Sequence, residues 1–276
     1  IFIIVCLIVL VPIWKVLIDS LDLTTGYGLK LLPTKFGLDG YVSIFTNQSL
    51  LRPLWVSVYT TVAGTFIGLL LSTMGAYVLI QWDMPFRTTF ANILLFTMIF
   101  SGGMIPAYLN VRDLGLYNTL WALILPGAMS VYNSIICRTA IQGVPDSLVE
   151  SAYLDGANDL IIVFRIILPL IMPTIAVLLL YYGVGHWNAW FNASLYLADN
   201  DKLPIQNVMR SILIANSNVL NSAGSDNDMV NQYAEAIKYS TIILTTVPVL
   251  CIYPFLQKYF VKGVMVGARS EERHVG

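Results

Sequence analysis

Apolar residues run along this chain in long unbroken stretches, separated by short polar islands. A helix that crosses a bilayer needs about 20 mostly apolar residues. Six segments meet that need: approximately Ile1–Ile18, Leu54–Ile80, Phe90–Val111, Tyr117–Cys137, Val163–Trp187 and Tyr239–Val261. The runs are continuous and do not alternate, which predicts helices and argues against a barrel. The expected fold class is an all-α membrane protein with six transmembrane helices, making one transmembrane domain over residues 1–276. The Ile1–Val11 run has the length of a signal-peptide core. It continues through Trp14 to Ile18 with no small-residue cleavage site, so a first membrane helix is the favoured reading.

Composition agrees with the pattern. Hydrophobic residues make up 57% of the chain and charged residues 11%, whereas a soluble domain carries about 25% charged residues. The net charge of -1 excludes a broad basic face for nucleic acid. Cys6, Cys137 and Cys251 are three in number and lie in apolar surroundings, which predicts free thiols without a disulfide framework. None sits at metal-ligand spacing, so no metal is expected. Lys and Arg nearly tie between the two sides, but Arg87, Arg138, Arg165, Lys258 and Lys262 sit in short loops or near helix ends, which tips those loops and the C-terminal tail to the cytoplasm. Trp14, Trp55, Trp82, Trp121, Trp187 and Trp190 fall near span ends, as interfacial aromatic belts do.

Several spans carry helix breakers. Ser101-Gly-Gly-Met-Ile-Pro106 interrupts the third, Pro126-Gly127 the fourth, and Pro169 with Pro173 the fifth. Each proline removes a backbone donor and crowds the carbonyl one turn back. Broken helices at membrane depth are tolerated where they are buried in protein or line a cavity. The expectation is a cavity-lining bundle that moves, with Pro169 and Pro173 as its hinge. Gly64 and Gly68 fit a close helix contact. After Tyr196, helical spacing of Ile205, Val208, Met209, Ile212 and Leu213 predicts an amphipathic helix, packed on the bundle or laid on the membrane surface. Asn216–Asp228 has loop composition.

The most informative island is Glu150-Ser-Ala-Tyr-Leu-Asp155-Gly156. Pro145 suits a first helical turn, and Ser147 with Glu150 fits a capping box. Leu148, Val149 and Ala152 give the short helix an apolar side. Gly156 is placed to end it, and Asn158-Asp159 to cap the next. Glu150-Ser-Ala-x-x-Asp155-Gly156-Ala, followed by Phe164, Ile167-Leu168-Pro169 and Pro173, resembles the "EAA" signature of ABC-importer permeases, with Ser151 where the family usually has Ala. Phe100–Leu109, Leu123–Gly127 and Gly185–Asn192 resemble the carbohydrate branch of that family, and the resemblance runs from the first helix to Gly263–Gly267.

The resemblance implies a multi-pass permease of the bacterial inner membrane. Its partners would be a second homologous permease, two cytoplasmic ATPase subunits, an extracellular or periplasmic solute-binding protein, membrane lipid and a sugar. It also implies a cytoplasmic coupling helix between helices 4 and 5, in a loop over about 143–160, and an external loop over about 191–238. The ATPase-coupling residues carried over are Glu150, Ser151, Ala152, Asp155 and Gly156. Movement of that helix by ATP-driven closure of the ATPases is the implied mechanism. The chain has no Gly-x-x-x-x-Gly-Lys-Ser/Thr loop, so it holds no cofactor of its own. ATP and Mg would be bound by the partner ATPase, and the chain is not itself an enzyme.

A sugar offers hydroxyls and flat CH faces. Tyr181, Tyr182, Trp187, Asn188 and Asn192 supply aromatic platforms and amides near the outer end of the fifth span. Helical period brings Tyr181, Asn188 and Asn192 towards one face. Asn133 adds a polar group in the fourth span. For the tryptophans an interfacial belt is an equal reading, and for the asparagines structural hydrogen bonding is the alternative. His186 reads as a packing residue, because no Asp or Glu accompanies it in mid-span as a proton relay would require. That absence also disfavours an ion-coupled carrier. An intramembrane serine protease is disfavoured because Ser101-Gly102 follows Ile99-Phe100, not a Gly-x pair, and no His-Glu-x-x-His appears for metal hydrolysis.

Overall fold

The computed structural model describes residues 2–22, 30–46, 48–221, 235–252, 254 and 257. Helices are α1 (Phe2–Leu21), α2 (Asp39–Thr46), α3 (Gln48–Val78), α4 (Arg87–Ile99), α5 (Met104–Asp113), α6 (Trp121–Ile124), α7 (Val131–Gln142) and α8 (Asp146–Leu154). They continue with α9 (Asp159–Ile161), a π turn (Ile162–Ile167), α10 (Leu168–Leu170), α11 (Met172–Trp187), α12 (Trp190–Tyr196), α13 (Ile205–Asn221) and α14 (Glu235–Ile252). The described residues contain no strand, only an isolated bridge between Asp22 and Phe36.

Among the described residues, three helices are long and apolar enough to cross a membrane: Phe2–Leu21, Leu50–Val78 and Glu235–Ile252. Two further pairs qualify if each bent pair counts as one span: Arg87–Ile99 with Met104–Asp113, bent by 116°, and Asp159–Leu170 with Met172–Trp187, bent by 89°. The breakers account for both corners. Gly103 has φ 88° and ψ 174°, a region essentially reserved for glycine, and Pro106 follows in the first turn of α5, where a missing N–H costs nothing. The second corner falls at Ile171, between Pro169 and Pro173.

The fourth expected span differs. Tyr117–Cys137 is not one helix but α6, a 3₁₀ turn over Leu125–Gly127, and α7 starting afresh at Val131. Pro126 cannot donate to the carbonyl a turn back, and Ser130 caps the new helix by accepting from Asn133 N. Only part of the sixth segment, as far as Ile252, lies within α14. α13 runs on to Asn221, past the point where loop composition began; residues 222–234 and the Gly263–Gly267 stretch lie outside the described residues.

The chain groups into two compact units, residues 1–57 with 198–251, and residues 58–197 with 252–276. In the first, the buried end of α1 meets α2 and α14. Ser20 Oγ lies 2.8 Å from the Tyr41 hydroxyl, and a Cβ on Gly40 would fall 2.4 Å from Ser240 Oγ. Buried Asp22 accepts from Lys30 Nζ at 2.9 Å and from the backbone N–H groups of Thr34 and Lys35 at 2.9 and 3.1 Å. α13 joins this unit through its first turn, where Ile205 N donates to Ser57 Oγ at 2.9 Å.

The second unit has the larger core cluster. Ala76, Tyr77, Cys137, Ile141, Ala152, Ile162, Val163, Ile167, Ile171, Ile175 and Leu178 are buried together. Outside it, α4 shows no buried residue, and Phe90, Ile93, Phe96 and Ile99 are exposed. Water would penalise such a face at about 25 cal/mol per Å² of apolar surface, whereas lipid or another apolar chain would not. Trp14, Trp55, Trp82 and Trp121 are exposed as a belt requires, and Trp187 is buried. Cys6, Cys137 and Cys251 are free thiols.

Candidate functional site

The polar island forms α8, a nine-residue helix over Asp146–Leu154. Its N-terminus corrects one expectation. Pro145, at ψ 128°, is itself the N-cap, and its carbonyl accepts from Leu148 N at 3.1 Å. Ser147 therefore lies inside the first turn, and no side chain caps the helix. Glu150 is released from the capping box: it is exposed and makes no hydrogen bond or ion pair with the described residues. Ser151 donates back to Ser147 O at 2.7 Å, so the hydroxyl that replaces a methyl group is satisfied within the helix.

The far side of α8 is anchored. Ala152 is buried in the core cluster and Val149 packs beside it, whereas Leu148 is left exposed. The helix ends in a Schellman motif. Ala157 N donates to Ala152 O at 2.9 Å and Gly156 N to Tyr153 O at 3.0 Å, with Gly156 at φ 80°. Asp155 is the exposed C-cap residue. Asn158 then accepts from Ile161 N at 2.9 Å and starts the next helix, as its position predicted. Tyr153 donates to Asp159 Oδ1, and this bond chiefly holds its hydroxyl above the ordinary tyrosine pKa. Beside α8 lies a cavity of about 530 Å³, lined by Glu150, Asp146 and Tyr153 on one side and by Arg87, Arg138 and Trp82 on another.

A second, more open cleft of about 790 Å³ lies among α7, α11 and α12. It brings together Asn133, Tyr181, Tyr182 and Asn192, and adds Ser130, Tyr132 and His186. The exposed rings of Tyr132 and Tyr181 lie 6.4 Å apart, centroid to centroid. Asn133 is 5% exposed, and its side-chain amide has no hydrogen-bond partner among the described residues. Tyr182 is different: its hydroxyl lies 2.6 Å from Ser72 Oγ and accepts from Ser130 N at 2.8 Å.

Trp187 and Asn188 do not line this cleft. The expected helical face through Tyr181, Asn188 and Asn192 fails because α11 stops at Trp187. Asn188 becomes its C-cap residue and donates from Nδ2 to Val184 O at 3.0 Å. Asn192 reaches the cleft from α12, not along the same helix. His186 packs against Gly64 as well as lining the cleft, and Tyr182 packs against Gly68. The four-residue spacing of Gly64 and Gly68 was the sequence signal for this contact.

A membrane-crossing bundle with a bent helix after a short, glycine-terminated surface helix is one site geometry; its family is set by comparison. The profile of the binding-protein-dependent transport system inner membrane component family matches residues 1–266. The chain belongs to that family. It is a permease, a transport subunit and not an enzyme. This permease is 44% identical over 241 residues to the polygalacturonan/rhamnogalacturonan transport system permease protein YtcP of Bacillus subtilis (strain 168), covering 86% of this chain and 83% of that one. It is 41% identical over 238 residues to protein LplC of the same organism, covering 86% and 80%. Among solved structures, it resembles a chain of a bacterial ABC transporter involved in the import of the acidic polysaccharide alginate, with a TM-score of 0.82, 29% identity, and 93% and 92% of the two chains covered.

Proposed function

We propose that this permease is the membrane-spanning subunit of an ATP-driven importer for an oligosaccharide or polysaccharide fragment in the bacterial inner membrane. The names of its relatives support this reading: YtcP is a polygalacturonan/rhamnogalacturonan transport system permease, and a further relative of 28% identity is an arabinooligosaccharides transport system permease. Six crossings are the reading, with the segments α4–α5, α6–α7 and α9–α11 each counted as one interrupted span. A second permease completes the path. Two ATPase subunits bind ATP and Mg, and a solute-binding protein delivers the sugar. A solved alginate transporter in complex with its oligosaccharide-bound periplasmic protein is 20% identical and supports the fold alone.

α8 is the coupling helix of this reading. The observation that carries it is the division of the helix into two faces. Ala152 is buried in the core cluster while Glu150 stands exposed, with no partner among the described residues. A force applied to Glu150, Asp155 or the Gly156 turn therefore enters the bundle through packed side chains. Pro169 and Pro173 then frame the corner that changes angle as the path opens. Asn133 and Asn192 with the Tyr132–Tyr181 pair form the sugar-facing surface, amides for hydroxyls and rings for CH faces. Single cysteines over residues 146–157, labelled by a membrane-impermeant maleimide, test the placement. Labelling from inside-out vesicles only is expected; labelling from intact cells overturns it. Glu150→Lys with Gly156→Pro is expected to abolish sugar uptake by the reconstituted complex while ATP hydrolysis continues.

A further inference from the structure

A cluster of three polar groups ties α8 to two other elements of its unit. Tyr77 lies near the end of α3 and is buried, Tyr153 is on α8, and Asp159 opens α9. Tyr77 Oη lies 2.9 Å from Asp159 Oδ1 and 3.1 Å from Tyr153 Oη, and Tyr153 Oη also donates to Asp159 Oδ1. Two hydroxyls hold two protons, so at most two of the three contacts are hydrogen bonds at once. The carboxylate is the charged acceptor and takes both, because charge-assisted bonds are the stronger. One oxygen of Asp159 therefore gathers α3 and α8 onto the start of the bent segment that leads to Ile171.

Local chain geometry does not require this. α8 is already ended by the Gly156 turn, and α9 is already capped by Asn158. The Asp159 side chain is thus free of capping duty. Tyr77 is 76 residues from Tyr153 in sequence and brings a long span to the same atom. Ala152 and Val149 seat α8 on the core by apolar contact, which is non-directional and does not by itself fix the position of the helix along that surface. Two directional bonds to one oxygen oppose such sliding.

We propose that Asp159, with Tyr77 and Tyr153, is a positioning device that makes α3 and the α9–α11 segment follow α8 when the ATPases move it. This rests on α8 being the coupling helix. The experiment uses the complete importer in liposomes and reads ATP hydrolysed per sugar taken up. Asp159→Leu removes the acceptor and Asp159→Asn keeps one. Tyr77→Phe with Tyr153→Phe removes only the hydroxyls and reads the same bonds if Asp159→Leu fails to assemble. The leucine variant and the double phenylalanine variant each remove both bonds to the carboxylate and are expected to raise ATP per sugar by at least about tenfold, the order already set by one lost hydrogen bond to a charged group. Asp159→Asn is expected to stay within about threefold of wild type, since an amide oxygen still accepts. An unchanged ratio in the double phenylalanine variant overturns the proposal, as does a lowered unfolding temperature with the ratio intact. Equal loss in Asp159→Asn and Asp159→Leu also overturns it. Glu150→Lys separates the two readings: if it still uncouples while these variants do not, the coupling helix stands and only the positioning role falls.

Discussion

The Tyr182 hydroxyl lies 2.6 Å from Ser72 Oγ and accepts a hydrogen bond from Ser130 N at 2.8 Å, so one buried oxygen ties α11 to α3 and to the cap of α7. The ring edge lines the cleft while its polar end is committed to structure. Tyr182→Phe is expected to destabilise the permease by about 1 kcal/mol, because it removes the acceptor of the part-buried Ser130 N–H and the buried bond to Ser72. Thermal unfolding in detergent measures this. A drop of that size with sugar affinity retained separates this tyrosine from a direct sugar contact.

Asn133 makes the opposite prediction. Its amide is buried, lines the cleft and has no side-chain partner to lose among the described residues. Asn133→Ala is expected to leave unfolding within about 1 kcal/mol of wild type, as substitutions that break no network usually do. Uptake is expected to fall severalfold. Transport assays in proteoliposomes with a saturating supply of loaded binding protein measure it.

Gly64 and Gly68 permit the approach of α3 to α11. A Cβ on Gly64 would fall 2.5 Å from His186 Nε2, and one on Gly68 would fall 2.8 Å from the Tyr182 ring. Gly64→Ala is expected to cost about 1–3 kcal/mol, the usual penalty of overpacking. His186→Ala opens space at the same point, so the double variant should recover much of the loss. A double-mutant cycle on unfolding temperature reads that coupling.

Gly156 is needed for its backbone alone. Its φ is 80°, and a Cβ there would meet nothing within 4 Å. Gly156→Ala is expected to cost about 1–2 kcal/mol, the price of left-handed backbone for an ordinary residue. Gly156→Asn is expected to cost less. ATP hydrolysis per sugar, measured for both, should rise more in the alanine variant.

In the other unit, Asp22 has no solvent exposure and holds Lys30 Nζ together with two backbone N–H groups. Asp22→Ala is expected to destabilise by about 3 kcal/mol, because it leaves a half-buried ammonium and two amides unpaired. Asp201 pairs with Arg52 at 2.9 Å on an exposed surface, 72% and 61% accessible. Asp201→Ala should change stability by less than about 1 kcal/mol. Chemical denaturation of both variants checks the contrast.

What the sequence revealed was mostly local. Gly156 stops α8 and Asn158 starts α9 because a positive φ and a side-chain cap are written in single residues. The broken third and fifth spans were legible in Gly103, Pro169 and Pro173 for the same reason. The capping box failed because Ser147-Leu-Val-Glu150 matches the motif, but Pro145 supplies an earlier start. Asn188 and Asn192 were placed on one helix because the apolar pattern runs on through Trp187, whereas the Asn188 amide turns back to Val184 O and ends it. Ser130 and Tyr132 reach the cleft from the start of α7 and His186 from α11, and no spacing along the chain reports a tertiary meeting of that kind. Tyr77 and Asp159 were missed likewise, since 82 residues separate them.

Ile171 sits at the 89° corner, yet its N–H still donates to Ile167 O at 3.0 Å and its carbonyl still accepts from Ile175 N at 3.0 Å. The π turn just upstream bonds Leu168 N to Val163 O, so the chain enters Pro169 already in a looser register. Each arm of the elbow thus keeps its own ladder up to the joint. If this elbow is the hinge of the proposed cycle, swinging one arm against the other rotates a few torsions and unzips no helix, so the work of opening a passage need not include melting backbone in lipid.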